Sequence, residues 1–285
     1  MSRGVEPRWQ RVLTPVGIAF IVIVICLPGL WVMLTAFRPN VEVLARPPVW
    51  VPHLTLDNFR AMFGLLPEIE QGPPVGHYIR NSLIASVTST AIALIVGTMG
   101  GYAFARFHFR GKGALFLGFM LSRTIPGVAL SLPVFILWSR IGLIDTSAGL
   151  ILIYLALNIP FTVWLTDGFF REIPVELSQA ALIDGATRWQ AFWHVEFPLA
   201  GAGLASAGIF AFLTSWNEFA LASQLTRSVA SKTLTVGLMD YTSQFTIDWV
   251  GMCALAMLII VPAFALTFVV QRHLIEGLTF GGVKG

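Results

Sequence analysis

The chain has 285 residues, of which 56% are hydrophobic and only 12% are charged, and its mean hydropathy is +0.77. A soluble globular domain carries roughly twice this fraction of charged residues, so the composition excludes an ordinary soluble protein and indicates one that crosses a membrane several times. The net charge of +3 does not indicate a nucleic-acid partner, because the basic residues lie between apolar segments rather than on one face.

Six apolar stretches are long enough to span a hydrocarbon core about 30 Å thick, which takes roughly 20 helical residues. They cover 12–37, 78–107, 114–138, 148–170, 199–223 and 249–270. The sequence therefore predicts an all-α membrane protein with six transmembrane helices in a single domain, 1–285. A modest excess of arginine and lysine on the N-terminal side of the membrane predicts that both termini are cytoplasmic.

The second stretch carries a small residue at every fourth position. The stripe consists of Ala85, Ser89, Ala93, Gly97, Gly101 and Ala105. Such a stripe allows another helix to approach closely, which is how van der Waals packing drives helix association in lipid. We favour packing within the chain, and the alternative is a seam with a second subunit.

The third and fourth stretches contain polar residues at a similar depth. Arg123 lies about 14 Å into its span, at 1.5 Å per residue, where an arginine costs about 2.5–3.5 kcal/mol unless it faces a cavity or a partner. Asn158 precedes Pro160, and Pro126 and Pro133 are predicted to kink the third helix. Arg123 and Asn158 are therefore candidates for a translocation pathway; the alternative is an interhelical contact without substrate.

The fifth stretch ends in Trp216-Asn217-Glu218-Phe219. Counting along the helix places Glu218 near the outer mouth, where an ionised carboxylate stays hydrated, with Asn217 slightly deeper. Both are pathway candidates, and the alternative for Glu218 is a residue anchored at the membrane interface.

A polar segment, 171–198, interrupts the fourth and fifth stretches. Pro174 suits the first turn of a helix, Gly185 is predicted to bend it, and Pro198 is predicted to stop the second piece. The pattern predicts a helix–bend–helix finger, and its bulky apolar side chains require a groove on a partner.

This finger resembles the EAA loop, the coupling-helix signature of ABC-importer permeases, through Gln179-Ala180-Ala181, Gly185 and 195–198. The resemblance implies a type I ABC-importer permease fold. The family usually has Glu where this chain has Gln179, so a charge is missing there. The residues that the resemblance assigns to ATPase coupling are Glu176, Gln179, Ala180, Ala181, Asp184, Gly185, Ala186, Phe192 and Pro198.

Three further fragments resemble carbohydrate permeases: 54–59 (LTLDNF), 216–219 (WNEF) and the C-terminal tail 271–285, which ends like that of the second membrane subunit of maltose-type importers. The tail implies contacts of Gly281, Gly282 and Lys284 with the ATPase subunits. The resemblance implies a sugar, oligosaccharide or polyol as substrate, and Arg123 leaves an anionic sugar open.

The sequence contains no GxxxxGK[ST] loop, so the energy must come from another chain. The resemblance implies a permease subunit without catalytic residues, metal or cofactor of its own, in a bacterial or archaeal cytoplasmic membrane. The partners that it implies are a second homologous permease, two ATPase subunits that bind ATP and Mg, an extracytoplasmic solute-binding protein and membrane lipid, but no nucleic acid. The competing hypothesis is a secondary transporter or channel that works without ATP.

Overall fold

The structure, a computed structural model, describes residues 8–66, 72–244 and 246–281, and the side chains of 14–66, 72–244 and 246–268 among them. The regular structure in these ranges is helical. The helices are α1 (Arg8–Ala36), α2 (Asn40–Val43), α3 (Asp57–Met62), α4 (Val75–Arg106), α5 (Lys112–Ser122), α6 (Gly127–Ile141), α7 (Ser147–Glu172), α8 (Val175–Ile183), α9 (Arg188–Ala191), a π-helix (Phe192–Glu196), α10 (Phe197–Leu199), α11 (Gly201–Trp216), α12 (Ala222–Leu225), α13 (Leu234–Gly237), a 3₁₀ turn (Leu238–Tyr241) and α14 (Trp249–Gly281).

Four helices are each long and apolar enough to cross a membrane: α1, α4, α7 and α14. Two bent pairs, α5 with α6 and α9–α10 with α11, raise the number to six if each pair forms one span. The six predicted stretches correspond to these four helices and two pairs, which agrees with the predicted all-α membrane architecture.

The third predicted span is broken. The α5 and α6 axes differ by 97°, and the break falls just before Pro126, where a proline disfavours helical geometry in the residue that precedes it. Pro133 and Pro160 do not interrupt their helices, α6 and α7. At the other end, α6 stops at Gly142, whose φ of 72° is in the left-handed region that favours glycine.

The fifth and sixth spans also differ from their predicted bounds. The helix of the fifth span, α11, ends at Trp216 rather than near residue 223. The last helix, α14, continues to Gly281, so most of the segment predicted as a tail after residue 270 is helical. Hydropathy marks the apolar part of a helix and carries no information on where its hydrogen-bonded backbone ends.

The chain divides into two compact units, of which the first comprises Met1–Pro73 and Leu238–Leu258. In this unit the LTLDNF fragment folds back on the end of α1. The Asn58 amide Nδ2 donates to the carbonyl oxygens of Ala36 and Arg38, each at 2.8 Å, and the Phe59 ring lies 5.2 Å from that of Phe37. The fragment thus satisfies carbonyl groups that the helix end leaves open.

The second unit comprises Pro74–Gly237 and Ile259–Gly285, and its centre is the pair α4 and α7. The small residues of α4 lie on this contact. A Cβ on Gly101 would lie 2.0 Å from Thr166 Oγ1, and one on Gly97 would lie 2.4 Å from Thr162 Cγ2. Thr166 Oγ1 in turn donates to the Gly97 carbonyl at 3.0 Å. The stripe therefore serves packing within the chain, as the favoured interpretation predicts.

Asp145 connects the loop after α6 to the loop after α12. Its carboxylate Oδ1 accepts hydrogen bonds from the backbone N–H groups of Arg227 and Ser228, at 2.8 and 2.9 Å, and from the Ser231 hydroxyl. Its own N–H donates to the Leu225 carbonyl at 2.8 Å. Desolvation by burial acts to raise the pKa of this carboxyl, but the hydrogen bonds from Ser228, Ser231 and Arg227 together hold the pKa below its usual range.

We expect Asp145→Asn to lower the thermal stability of the purified protein at neutral pH. Because the folded pKa is depressed, the ionised carboxylate stabilises the fold above the unfolded pKa of about 3.9, and this contribution falls as the pH drops toward the folded value. The difference in Tm between wild type and Asp145→Asn should therefore narrow when the pH is lowered below about 4. Scanning fluorimetry in detergent measures this difference in Tm, and the control is Asp184→Asn, at an exposed position. A difference that does not change with pH would contradict the prediction.

Candidate functional site

The segment between α7 and α11 forms the predicted helix–bend–helix finger. Its first limb is α8, and the bend occurs at Gly185, whose φ of 92° is in the left-handed region that favours glycine. The second limb starts at Thr187, which caps α9 through a capping box with Gln190. Local sequence therefore accounts for the bend and for the start of the second limb.

The second limb does not stop at Pro198 as predicted. It continues from α9 through the π-helix 192–196 into α10, and the chain bends by 75° only at Ala200, before α11. Pro198 is the second residue of α10, which directly follows the π-helix. A single turn of π-helix is uncommon and is found frequently at functional sites.

An ion pair closes the base of the finger. Glu196 is only 1% exposed, and its Oε2 accepts a hydrogen bond from Arg106 Nε at 2.7 Å. The other oxygen, Oε1, accepts from the Ser178 hydroxyl. Arg106 also donates from Nη2 to the carbonyl of Ile173, at 2.8 Å. A buried carboxylate requires such partners, and here both of its oxygens are satisfied.

Aromatic packing reinforces this base. Phe192 is 3% exposed, and its ring centroid lies 4.7 Å from that of Tyr102 on α4 and 6.2 Å from that of Phe170 on α7. Trp189 stacks on the outer side of Phe192 at 5.7 Å. The structure thus places Phe192, which the resemblance assigns to the ATPase contact, inside this chain, where it anchors the finger.

The other residues predicted to couple to an ATPase lie on or near the finger surface. Exposed are Glu176, Gln179, Ala180, Asp184, Gly185 and Pro198, and half-buried are Ala181 and Ala186. The geometry leaves these side chains available to a partner, and their assignment to the coupling contact stays a prediction.

Sequence reasoning missed the most exposed apolar side chain of the finger. Ile183, the last residue of α8, is 85% exposed, and Leu182 before it and Trp189 on the second limb are 40% and 57% exposed. A signal existed, because an isoleucine directly before Asp184-Gly185 must lie at the helix end, where no later turn covers it. Arg106, Glu196 and Ser178 were missed because their contacts join distant segments.

Arg123 and Asn158, the two pathway candidates within the spans, differ in environment. The exposed Arg123 donates from Nη1 to the carbonyl of Leu157 at 2.9 Å, and its guanidinium lies 5.0 Å from the Phe161 ring centroid. Asn158 is 1% exposed and donates from Nδ2 to Ser215 Oγ at 2.8 Å. The Arg123 side chain is therefore exposed on this chain, whereas the asparagine joins α7 to α11; a place for either in a pathway stays a prediction.

The two polar residues after α11 have distinct partners. Asn217 is exposed, and its Nδ2 donates to the carbonyl of Leu213 at 3.0 Å. The Glu218 carboxylate is half-buried and accepts from the backbone N–H groups of Leu221 and Ala222, both at 2.8 Å. Glu218 thus caps the turn that leads into α12, and its place in a pathway stays a prediction.

The residues predicted to form tail contacts with ATPase subunits lie at or beyond the end of the described residues. Gly281 is the last residue of α14, and Gly282 and Lys284 lie outside the described residues. Their contact with ATPase subunits stays a prediction.

Comparison with solved structures shows that the apolar helices and the finger between α7 and α11 have the type I importer permease fold. A solved bacterial ABC transporter involved in the import of the acidic polysaccharide alginate has a similar fold, with a TM-score of 0.75 and 20% identity over 94% of this chain and 98% of that one. A second structure, of an alginate ABC transporter in complex with an alginate pentasaccharide-bound periplasmic protein, has a TM-score of 0.65 and 15% identity over 92% and 94%.

Sequence comparison places the chain in a family. Residues 94–279 match the family described as binding-protein-dependent transport system inner membrane component. The chain is 35% identical over 257 residues to the probable ABC transporter permease protein y4oR of Sinorhizobium fredii, with 90% of each chain covered. It is 36% identical over 262 residues to the trehalose transport system permease protein SugB of Mycobacterium tuberculosis (91% and 92% covered). It is 31% identical over 282 residues to the diacetylchitobiose uptake system permease protein DasC of Streptomyces coelicolor (99% and 97% covered).

The chain belongs to the family of binding-protein-dependent transport system inner membrane components and is a permease subunit of an ABC importer. The predicted family is therefore confirmed, and so is the multi-pass architecture in the inner membrane.

Proposed function

We propose that the chain forms half of a pore that imports a carbohydrate, paired with a second homologous permease and driven by two ATPase subunits. The observation that carries the proposal is the exposed finger, whose apolar tip has no cover among the described residues of this chain. ATP and Mg bind to the ATPase subunits, which hydrolyse ATP, and this chain supplies no catalytic residue. Closure of the ATPases moves the finger, and the helix bundle rotates with it to switch the pore.

The finger sets the orientation that we propose. ATPase subunits lie in the cytoplasm, so the finger lies there too. The C-terminal ends of α4 and α7, to which hydrogen bonds of Arg106 attach the finger, are then cytoplasmic as well. An even number of spans then places both termini in the cytoplasm, in agreement with the excess of basic residues on that side. The loops that contain Asp145 and Arg227 face outward, where a solute-binding protein delivers the substrate.

The apolar tip supports a groove-type contact with one of the two ATPase subunits. Burial of a large aliphatic or aromatic side chain is worth about 1.5–3 kcal/mol, so Leu182, Ile183 and Trp189 together can hold a partner without an ion pair. This compensates for Gln179, which is exposed but uncharged. We propose that Gly281, Gly282 and Lys284 add contacts with the ATPase subunits.

The substrate class rests on the relatives, whose names specify trehalose and diacetylchitobiose, and on the WNEF, LTLDNF and tail fragments. We propose a sugar, oligosaccharide or polyol. Arg123 suits an anionic sugar as well, because its guanidinium is exposed and, within the described residues, contacts a carbonyl and an aromatic ring rather than a carboxylate.

Purification from native membranes followed by reconstitution tests the proposal. We expect a P-loop ATPase and a second permease to co-purify, and proteoliposomes containing the complex to take up trehalose or diacetylchitobiose only when ATP is inside and the solute-binding protein outside. A chain that purifies alone and transports without ATP would instead support the secondary-transporter alternative. Complex formation with ATP-driven uptake of a non-carbohydrate would retain the importer and overturn the substrate class.

A further inference from the structure

The finger is attached to the membrane helices by more than its two chain connections. Glu196 lies in the π-helix of the second limb. One of its carboxylate oxygens accepts a hydrogen bond from Arg106, at the end of α4, and the other accepts one from Ser178 on the first limb. Arg106 adds a hydrogen bond to the carbonyl of Ile173, where α7 ends. We call Arg106, Ser178 and Glu196 the clamp.

Burial makes the clamp stiff. The side chains of Glu196 and Arg106 are 1% and 12% exposed, so water does not compete for their hydrogen bonds. Removing either partner would leave an uncompensated buried charge, which is far more costly than the net gain from forming the pair. The finger can therefore move only together with α4 and the end of α7, or after the clamp has opened.

The position of the clamp gives this stiffness a role. It lies between the exposed tip at Ile183 and the tightly packed pair α4–α7, and on the second limb it precedes the 75° bend into α11. A flexible base would absorb a displacement of the tip by bending at Gly185 or Ala200. A stiff base passes the displacement to α4, α7 and α11.

We propose that Arg106, Ser178 and Glu196 are positioning residues that transmit the movement of the finger to the membrane helices. This inference rests on the proposed function, since it requires ATPase subunits on the finger. It goes beyond the finger surface, because none of the three side chains has to contact the ATPase. It also assigns a role to the buried carboxylate, which an apolar residue could replace if packing were its only purpose.

The test separates ATPase binding from movement of the helices. Glu196→Gln keeps the shape of the side chain but removes the charge that faces Arg106. The matched control is Arg110→Gln, which removes an exposed cation four residues beyond the clamp. Each variant is prepared with its co-expressed partner subunits, in a background with Cys26 and Cys253 replaced by alanine, and carries one reporter cysteine at the exposed position Gln224 or Val229, beyond the far end of α11.

The readout is the rate of labelling of the reporter by a membrane-impermeant maleimide, in the nucleotide-free complex and after trapping with Mg-ATP and vanadate. The reporter whose labelling rate changes more in the wild-type background is used. We expect the Glu196→Gln complex to retain its ATPase subunits and to hydrolyse ATP. The change in labelling rate on trapping should be about tenfold smaller than in wild type, a factor typical of coupling between two sites. Arg110→Gln should behave as wild type.

The outcomes separate the two proposals. If the labelling rate of Glu196→Gln changes on trapping as much as that of wild type, the clamp inference is overturned. It is also overturned if Arg110→Gln reduces this change as much as Glu196→Gln does. Failure of wild type to retain ATPase subunits would overturn the proposed function itself. If Glu196→Gln does not fold, Ser178→Ala is used, since it removes only the hydroxyl from a half-buried position. The change in labelling rate on trapping should then be about threefold smaller than in wild type. A change as large as that of wild type would again overturn the inference.

Discussion

Gly101→Ala is expected to destabilise the protein by about 3 kcal/mol or more, because the added Cβ meets atoms that cannot all move away. It would lie 2.0 Å from Thr166 Oγ1 and 2.7 Å from the backbone nitrogen of Asp167. A side chain can rotate, but the backbone contact forces α4 and α7 apart. The hydrogen bond from Thr166 to the Gly97 carbonyl then lengthens or breaks. The variant should show a Tm several degrees lower in detergent and a smaller yield of folded protein.

The matched control is Gly168→Ala on α7. Gly168 is exposed, and a Cβ there has nothing within 4 Å, so the substitution should be neutral or slightly stabilising through the higher helix propensity of alanine. Comparing the two variants isolates close approach of the helices from the general effect of replacing glycine. Equal Tm values for the two variants would show that α4 and α7 are not packed as tightly as the structure has them.

Ile183→Asp is expected to release the ATPase subunits while leaving the permease folded. Ile183 is 85% exposed at the finger tip, so the substitution disturbs little within the chain. In the complex we expect its side chain to be buried, and the change replaces an apolar contact by a carboxylate that must lose its water. The loss of about 2 kcal/mol or more corresponds to a decrease of about thirtyfold in affinity for the ATPase. Quantitative co-purification and ATP-driven uptake both measure it.

Val51→Asp provides the control for this prediction. Val51 is 82% exposed and belongs to the other compact unit, in the loop between α2 and α3, so it is close to Ile183 in size and matches it in exposure and change of charge. It should retain the ATPase subunits at the wild-type level. If Ile183→Asp also retains them, with an unchanged Tm, the tip of the finger is not the ATPase contact, and the exposed residues of the outer faces of α8 and α9 would have to supply it.

Much of the fold follows from the sequence, because lipid imposes strong local constraints. A span in a hydrocarbon core must satisfy its backbone internally, so each long apolar stretch predicts a helix whatever its neighbours are. The spacing of Gly97 and Gly101 predicts a close helix contact, and the left-handed φ of Gly185 follows from a glycine at the end of a short helix. These features depend on residues within a few turns of each other.

The site was only partly predictable. The finger and most of its exposed residues follow from the segment 171–198, but Phe192 turned out to face the interior, against Tyr102 and Phe170. An aromatic residue in an apolar stripe can pack inward or project outward, and the local pattern is the same in both cases. Ile183 could have been identified from its position at the helix end.

Tertiary structure alone decided which polar groups meet. Arg106 and Glu196 are 90 residues apart in the chain, and their pairing depends on the ends of α4 and α7 meeting the second limb of the finger. Pro126 accounts locally for the break between α5 and α6, but the contact of Arg123 with the Leu157 carbonyl depends on where α7 lies beside that break. The sequence by itself determined the helical spans, their small-residue contact and the finger, because those follow from local chemistry in an apolar solvent. The clamp and the surroundings of Arg123 could be identified only from the tertiary structure, because the partners of these charged groups come from segments that are far apart in the chain.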